Sequence, residues 1–190
     1  MSNAKGKLVV ISAPSGTGKG TVIKELLKLR PDFSFSISAT TRKPRPKEKD
    51  GVDYYFISHD IFREMIKNNE FLEYAQFVGE YYGTPEKPVL ENINSGKTIL
   101  LDIEVQGAKQ VMAKKTDAVM IFIMAPDMTE LEKRLRGRGT DTEEKLIERL
   151  KRAEHELNEK DHYNYVIIND NAKRAAVEIL SIIENNSPKG

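Results

Sequence analysis

Hydrophobic residues occur in four short, nearly continuous runs, which predict buried β-strands. The runs cover residues 8–11, 98–103, 118–125 and 165–169. Between them, apolar residues recur at helical spacing. Continuous apolar strands that alternate with amphipathic helices are typical of a parallel sheet covered on both faces. The pattern therefore predicts an α/β protein.

Helices are predicted where apolar side chains repeat every three or four positions. Pro31 ends the first helix, and Thr140 or Asp141 caps the long helix near the C-terminus. The final helix covers about 172–183. The apolar faces that define the other helices are Val22, Ile23, Leu26 and Leu27; Ile61, Phe62, Met65 and Ile66; Leu131 and Leu135; and Leu146, Leu150, Ala153 and Leu157.

The middle of the chain has a different pattern, which predicts an inserted lobe. Short strands are expected at 33–38 and 53–57, with a charged, proline-rich loop at 40–51 between them. An aromatic-rich mixture of strand and loop follows at 71–84, and a helix starts near Pro85. We expect a parallel-sheet core flanked by helices and formed by 1–37, 96–133 and 151–190. The inserted mixed α/β lobe is 38–95, and a second, arginine-rich insertion is 134–150.

Composition and charge narrow the classes of function. The 190 residues carry 30 basic and 29 acidic side chains, a net charge of +1, which gives no general attraction to nucleic acid or to an anionic membrane. The lack of cysteine excludes disulfides and thiolate metal sites. From this charge balance we expect neither nucleic-acid nor membrane partners. No apolar run resembles a membrane span or a signal peptide, and we expect a cytoplasmic protein.

A glycine-rich loop between the first strand and the first helix predicts a phosphate-binding site. Its sequence is close to the P-loop pattern, in which Lys19 reaches the β- and γ-phosphates. Ala13 replaces the usual first glycine, and Gly20 replaces the hydroxyl residue that usually contacts Mg²⁺. We therefore expect Mg²⁺ to be held mainly by nucleotide phosphates and water. The predicted ATP-binding residues of the loop are Ala13, Pro14, Ser15, Gly16, Thr17, Gly18, Lys19, Gly20 and Thr21.

Other charged residues have a functional and a structural interpretation. Asp102 ends an apolar strand and is expected near the phosphates, although such a residue also caps turns. Arg42 and Arg45, stiffened by neighbouring prolines, form either a phosphate clamp or a solvated basic loop. The arginines of the second insertion form either a hinged lid or a charged helix surface; for Arg136 the second is expected. These arginines are Arg134, Arg136, Arg138 and Arg149.

Six further segments, which with the loop extend over nearly the whole chain, resemble the guanylate kinases. They are SATTRKPR (38–45), DGVDY (50–54), NEFLEYA (69–75), GEYYGT (79–84), LDIEVQG (101–107) and RLRGRGT (134–140). The resemblance implies phosphoryl transfer from ATP to GMP with Mg²⁺, giving ADP and GDP. It also implies a P-loop core, a GMP-binding lobe at 38–95 and a small helical lid at 134–150.

The resemblance also assigns roles to individual residues. It implies catalytic contacts to the phosphates by Lys19, Arg42, Arg134, Arg138 and Arg149, and it places Asn169 near the adenine of ATP. It implies guanine recognition by Glu73, Thr84 and Asp102. The GMP phosphate is expected to be held or bordered by Ser38, Arg42, Arg45, Tyr54 and Tyr82.

Two alternatives to a GMP kinase stay open at the level of sequence. The first is a kinase for another monophosphate, since residues 18–21 also resemble adenylate kinase, although Glu73 and Thr84 argue against it. The second is a guanylate-kinase-like module that binds peptides without catalysis; Lys19 argues against this. The oligomeric state is not indicated by any pattern in the chain.

Overall fold

The computed structural model describes residues 6–114, 116–137 and 142–185. The chain divides into two compact units. The first contains 1–8, 34–101 and 106–118, and the second contains 9–33, 102–105 and 119–190. In chain order the elements are β1 (Leu8–Ser12), α1 (Lys19–Leu29), β2 (Ser34–Phe35), β3 (Ala39–Thr40), β4 (Tyr55–Phe56), α2 (His59–Lys67), β5 (Phe71–Phe77), β6 (Glu80–Pro85), α3 (Glu86–Asn94), β7 (Ile99–Asp102), α4 (Val105–Ala113), β8 (Val119–Met124), α5 (Met128–Arg136), α6 (Glu143–Leu157), β9 (Tyr165–Ile168) and α7 (Ala172–Asn185).

Parallel strands form the core of the second unit, as the apolar runs predict. β8 pairs with β1, with Val9 opposite Val119, and also pairs with β9, with Ile121 opposite Tyr165. β1 and most of β8 are buried. The expectation of burial on both faces is wrong for β9, where Val166 and Ile168 are 39% and 47% exposed. β9 is an edge strand that pairs only with β8, so no further strand lies beside it to help cover these two side chains.

The helices of the second unit bury the faces that their spacing predicts. In α1 the buried residues are Val22, Ile23 and Leu26, and this helix packs on α7. α5 and α6 pack through a cluster that includes Leu131, Leu135 and Leu146. The predicted cap of α6 is wrong, because the hydroxyl of Thr142 accepts the Lys145 N–H and the helix starts at Glu143. Thr140 and Asp141 lie outside the described residues.

The first unit contains a second sheet in the order β4-β3-β6-β5. β6 pairs antiparallel with both β3 and β5, whereas β3 and β4 are parallel. Its core stacks Phe62 on Phe71 and on Tyr81, with ring centroids 4.3 and 5.1 Å apart. The strand predicted at 33–38 is wrong in extent: only β2 forms there, and it pairs with β7. β3 begins just before the predicted loop and is absent from the sequence-based prediction. A two-residue strand is too short to show the alternation of polar and apolar residues that identifies strands.

Helix α4 is absent from the sequence-based prediction, yet in the first unit it supports β5. The side chain of Gln110 donates to the carbonyl of Tyr74 at 2.8 Å and accepts from the N–H of Tyr74 at 3.1 Å. This pair of bonds fixes the backbone of β5 next to Glu73. Of the helices in the described part of the chain, none is long and apolar enough to cross a membrane.

Candidate active site

The loop between β1 and α1 has the backbone geometry of a phosphate cradle. Gly16 and Gly18 have φ values of 91° and 87°, which favour glycine. A Cβ on Gly18 would lie 2.7 Å from Nδ2 of Asn169, so a side chain is also excluded by contact. α1 begins at Lys19, directly after the loop, so that the N–H groups of its first turn face the loop. The second unit therefore offers a helix N-terminus suited to an anion.

Hydrogen bonds to the carbonyl of Thr17 hold this loop in place. This carbonyl accepts hydrogen bonds from Nη1 of Arg134 at 3.1 Å and from Nδ2 of Asn169 at 2.7 Å. Arg134 also donates to the carbonyl of Asn169 at 3.0 Å and to Glu130 at 2.8 Å. The hydroxyl of Thr17 is itself buried and donates to the carbonyl of Pro14. Arg134 and Asn169 thus fix the loop in this structure, in addition to the nucleotide contacts predicted for them.

The ammonium group of Lys19 lies at the carboxyl end of β7. Its Nζ is 2.6 Å from Oδ1 of Asp102 and 3.0 Å from the carbonyl oxygen of Ile103. The Lys19 side chain is 19% exposed, so it is held in place and still reachable. The structure therefore brings together two residues that the sequence placed near the phosphates. This arrangement keeps the lysine charge oriented without burying it.

The other arginines predicted to contact phosphate lie near the loop or outside the described residues. Arg149, on α6, donates from Nη2 to the hydroxyl of Ser15. Arg138 lies outside the described residues. Arg136 is exposed and pairs with Glu132 and Glu143, as expected for a helix-surface arginine.

In the first unit, a buried carboxylate lies at the pairing of β5 and β6. Glu73 is opposite Thr84 in the register, and the Thr84 hydroxyl donates to Oε1 of Glu73 at 2.6 Å. Their exposed fractions are 8% and 1%. On the other side, a Cβ on Gly107 would lie 2.9 Å from Oε2 of Glu73. The pair is therefore fixed by a strand register and by the bare backbone of α4.

Burial and hydrogen bonding have opposite effects on the pKa of this carboxyl group. Desolvation raises the pKa of Glu73 above its ordinary value, while the hydrogen bonds from the side chain and backbone of Thr84 oppose the rise. A buried carboxylate with one oxygen satisfied by a hydroxyl has acceptor capacity left for a ligand. A ligand with adjacent N–H donors would supply the missing hydrogen bonds.

Two of the residues predicted to hold the GMP phosphate, Tyr54 and Tyr82, lie near Arg42. Its guanidinium lies over the ring of Tyr54, at 4.9 Å from the centroid, and Tyr54 meets Tyr82 edge-on at 6.4 Å. Arg45 is exposed. The carbonyl of Ser38 accepts the N–H of Tyr55 at 2.9 Å, which fixes the backbone at the start of this segment. The structure brings Arg42, Tyr54 and Tyr82 together.

A family model described as guanylate kinase matches residues 5–186 of this chain. The chain belongs to the guanylate kinase family. Guanylate kinase activity follows from this membership, and the chain is accordingly a kinase of the transferase class. The guanylate kinase of Prochlorococcus marinus subsp. pastoris is 49% identical over 185 residues, covering 97% of this chain and 100% of the relative. That of Clostridium tetani is 50% identical and covers 94% of this chain and 86% of the relative.

The structural comparison agrees with this family. The crystal structure of guanylate kinase from Anaplasma phagocytophilum matches with a TM-score of 0.71 and 35% identity, covering 98% of this chain and 88% of that one. The match confirms the α/β fold with its parallel-sheet core.

Two residues of this guanylate kinase family member have roles at the site that the sequence analysis missed. Glu48 makes two hydrogen bonds to Arg42, at 2.7 and 2.8 Å. Gln110 clamps the strand that carries Glu73. Glu48 lies among lysines and prolines, in a segment that looks like a solvated loop, so composition hides its role. The position of an acidic residue three places after Arg45 is the signal that could have indicated it.

Proposed function

We propose that the chain transfers the γ-phosphoryl group of ATP to GMP and to dGMP, giving ADP and GDP or dGDP. The observation that carries this proposal is the buried pair of Glu73 and Thr84. It supplies a fixed carboxylate with spare acceptor capacity, where a base with two adjacent donors would bind. We further propose that the reaction serves purine nucleotide metabolism in the cytoplasm.

The chemistry of guanine supports Glu73 as the base-reading group. Guanine presents N1–H and an exocyclic amine side by side, and one carboxylate accepts from both. Adenine presents an acceptor at N1, which would face the carboxylate unfavourably. A site built to hydrogen-bond a donor rejects the analogue that lacks it, because its own polar groups are then left unpaired. We assign Thr84 to hold Glu73 in place, and Asp102 is retained as a further proposed guanine contact.

For the phosphate of GMP, we propose Arg42, Arg45, Tyr54 and Tyr82 as the binding groups, with Ser38 at the border. Arginine recognises phosphate through paired N–H donors, and tyrosine hydroxyls donate single hydrogen bonds. The stacking of Arg42 on Tyr54 supports a guanidinium held flat and ready for such a contact. These residues all belong to the lobe that we propose to span 38–95. In the same proposal, the core consists of 1–37, 96–133 and 151–190, and the lid consists of 134–150.

On the ATP side, residues 13–21 and Asn169 are proposed to bind the nucleotide. Lys19, Arg134, Arg138 and Arg149 would neutralise charge on the transferring group. The accepting phosphate is already an anion at neutral pH, so no strong general base is required. Orientation and fixed positive charge then supply most of the rate acceleration.

The residues beside Lys19 fit a magnesium ion that arrives on the nucleotide. In the described residues, no cluster of three acidic or histidine side chains is positioned to hold a metal by itself. Asp102, with its side chain 38% exposed, is the carboxylate that would hold Mg²⁺, through its water shell. Mg²⁺ favours such sites, made of phosphates, water and one or two carboxylates. When bound, the ion neutralises phosphate charge.

A coupled assay of ADP formation tests the proposal. The protein is given MgATP and, in separate reactions, GMP, dGMP, AMP, CMP or UMP, with a reaction lacking any monophosphate as the blank. We expect rapid turnover with GMP and dGMP and little above the blank with the others. Equal rates with AMP and GMP would contradict guanine recognition by Glu73.

A further inference from the structure

The carboxylate of Glu48 is tied to the segment that carries Arg42 and Arg45. Its Oε2 accepts from Nη1 of Arg42 at 2.7 Å, and its Oε1 accepts from Nη2 at 2.8 Å. Oε2 also accepts the backbone N–H of Arg45 at 2.7 Å, and the N–H of Glu48 donates to the carbonyl of Arg45 at 3.0 Å. The Arg42 and Glu48 side chains are only 13% and 19% exposed. One acidic residue thus organises both arginines that the proposed function assigns to the phosphate.

Counting donors shows which edge of Arg42 this leaves for a ligand. A guanidinium has five N–H donors in a planar fork. Glu48 takes one from Nη1 and one from Nη2, and the carbonyl of Lys43 takes the other from Nη1 at 3.0 Å. The hydrogen bonds to Glu48 and Lys43 in the described residues do not use the Nε–H or the second Nη2–H, and these two donors point to the same side. The side chain of Tyr54 also interacts with this guanidinium. The edge formed by Nε and Nη2 matches two oxygens of a phosphate.

Two aromatic rings also contact the guanidinium of Arg42. Its central carbon lies 4.9 Å from the ring centroid of Tyr54 and 5.6 Å from that of Phe56. With an edge held by Glu48 and the aromatic contacts limiting rotation, the Nε edge has one preferred direction. Hydrogen bonds from Arg42 hold the pKa of Glu48 at about 2, so the carboxylate stays charged at any pH at which the enzyme works.

We propose that Glu48 is a positioning residue that orients Arg42 so that its Nε edge binds the phosphate of GMP. This inference rests on the proposed function, in which Arg42 contacts that phosphate. A carboxylate so close to a phosphate site could instead weaken binding by occupying the arginine. The donor count argues for positioning, because Glu48 uses the edge formed by Nη1 and Nη2 and leaves the adjacent edge, formed by Nε and Nη2, for the ligand.

The test compares Glu48→Gln with the wild-type enzyme and with Glu178→Gln as a matched control. Glu178 pairs with Arg174 at 2.8 Å on the exposed face of α7, so the control makes the same chemical change at another arginine partner. For Glu48→Gln we expect the KM for GMP to rise roughly tenfold, the scale of one impaired charge-assisted contact. The KM for ATP should change less than twofold, and Glu178→Gln should match the wild type in both constants.

A double-mutant cycle separates positioning from a general structural role. If Glu48 acts through Arg42, Glu48→Gln has no further effect on the KM for GMP in an Arg42→Ala background. Binding of guanosine, which lacks the phosphate, should be the same in Glu48→Gln and the wild type, and Glu48→Asp should restore part of the loss. Thermal unfolding of each variant shows that it is folded.

Three results would overturn the inference: an unchanged KM for GMP, a lowered KM for GMP, or an equal loss of guanosine affinity. A lowered KM would mean that Glu48 competes with the phosphate. These outcomes are distinct from failure of the proposed function, in which the wild-type enzyme itself would not turn over GMP.

Discussion

Replacing Glu73 by glutamine tests the base-reading site and the cost of burying its charge in a single variant. Glutamine keeps an oxygen that can accept from the Thr84 hydroxyl, so the 2.6 Å contact can persist. Its amide group then stands where Oε2 lies, beside the backbone of Gly107. A donor there faces one of the two N–H groups of guanine. The variant therefore changes one ligand contact and leaves the packing nearly the same.

The expected loss follows from one charge-assisted hydrogen bond. Such a bond contributes roughly 1.5–3 kcal/mol, which corresponds to a rise of about 10- to 150-fold in the KM for GMP. The KM for ATP should stay within about twofold of the wild type, since Glu73 is proposed to touch only the acceptor base. Steady-state kinetics with each substrate varied in turn measure both constants. Glu91→Gln, on the exposed side of α3, is the matched control.

The same variant should not be less stable at neutral pH. Burial raises the pKa of Glu73, so in the folded protein the group keeps its proton to a higher pH than in the unfolded chain. The folded state then binds more protons, and wild-type stability falls as pH rises through the raised pKa. Glutamine has no charge to bury. We expect the Tm of Glu73→Gln to equal or exceed that of the wild type at pH 7, with the advantage shrinking toward pH 4.

Two results would refute this reasoning. If the KM for ATP rises instead of that for GMP, Glu73 does not lie in the acceptor site. If the variant is destabilised more at pH 7 than at pH 4, the buried carboxylate is stabilised in its charged form by groups other than Thr84.

Two further predictions concern the second unit. Lys19→Met should lower kcat on the order of 10³-fold, as loss of phosphate-neutralising cations does. The Tm should be nearly unchanged, because the ion pair between Lys19 and Asp102 is partly exposed. Lys24→Met, at an exposed position, is the control, and near-normal turnover of Lys19→Met would mean that Lys19 has only a structural role. Tyr163→Phe should change the free energy of unfolding by less than about 1 kcal/mol in urea titrations. The reason is that the buried hydroxyl lies near that of Ser12 but makes no hydrogen bond of good geometry in the described part of the chain; a larger loss would reveal a stronger partner, such as a buried water.

The sequence predicts most accurately those features that depend on local repetition. The apolar faces of α1, α5 and α6 and the glycine-rich loop follow from spacing alone. In α2 the predicted face is wrong for Ile61, which is 50% exposed, whereas Phe62 is fully buried. The two-residue strand β3 does not follow from spacing, because it owes its conformation to pairing with distant segments, whereas β4 forms within the strand predicted at 53–57. α4 was missed since Gly107 and its polar neighbours weaken the helical pattern. The lack of a side chain at Gly107 leaves room for the carboxylate of Glu73 on β5. This proximity joins residues far apart in the sequence, so no local pattern encodes it.

The residues of the candidate site also fall into those that the sequence could indicate and those that it could not. Lys19, Asp102, Glu73 and Thr84 could be named from motifs and resemblance. The tie between Glu48 and Arg42 could not, because it depends on which edge of a guanidinium faces which oxygen.

The anchoring of the Thr17 carbonyl has a consequence for the entropy of ATP binding. Fixing the backbone of one residue costs roughly 1–2 kcal/mol, so a mobile loop of this length would subtract several kcal/mol from affinity. Here Arg134 and Asn169 fix the peptide plane through hydrogen bonds within the protein itself. The conformational entropy of this part of the loop is therefore lost when the protein folds, and not when ATP binds. We therefore expect stopped-flow association of ATP to be a single phase whose rate rises linearly with nucleotide concentration, with no plateau from a loop that must first order itself.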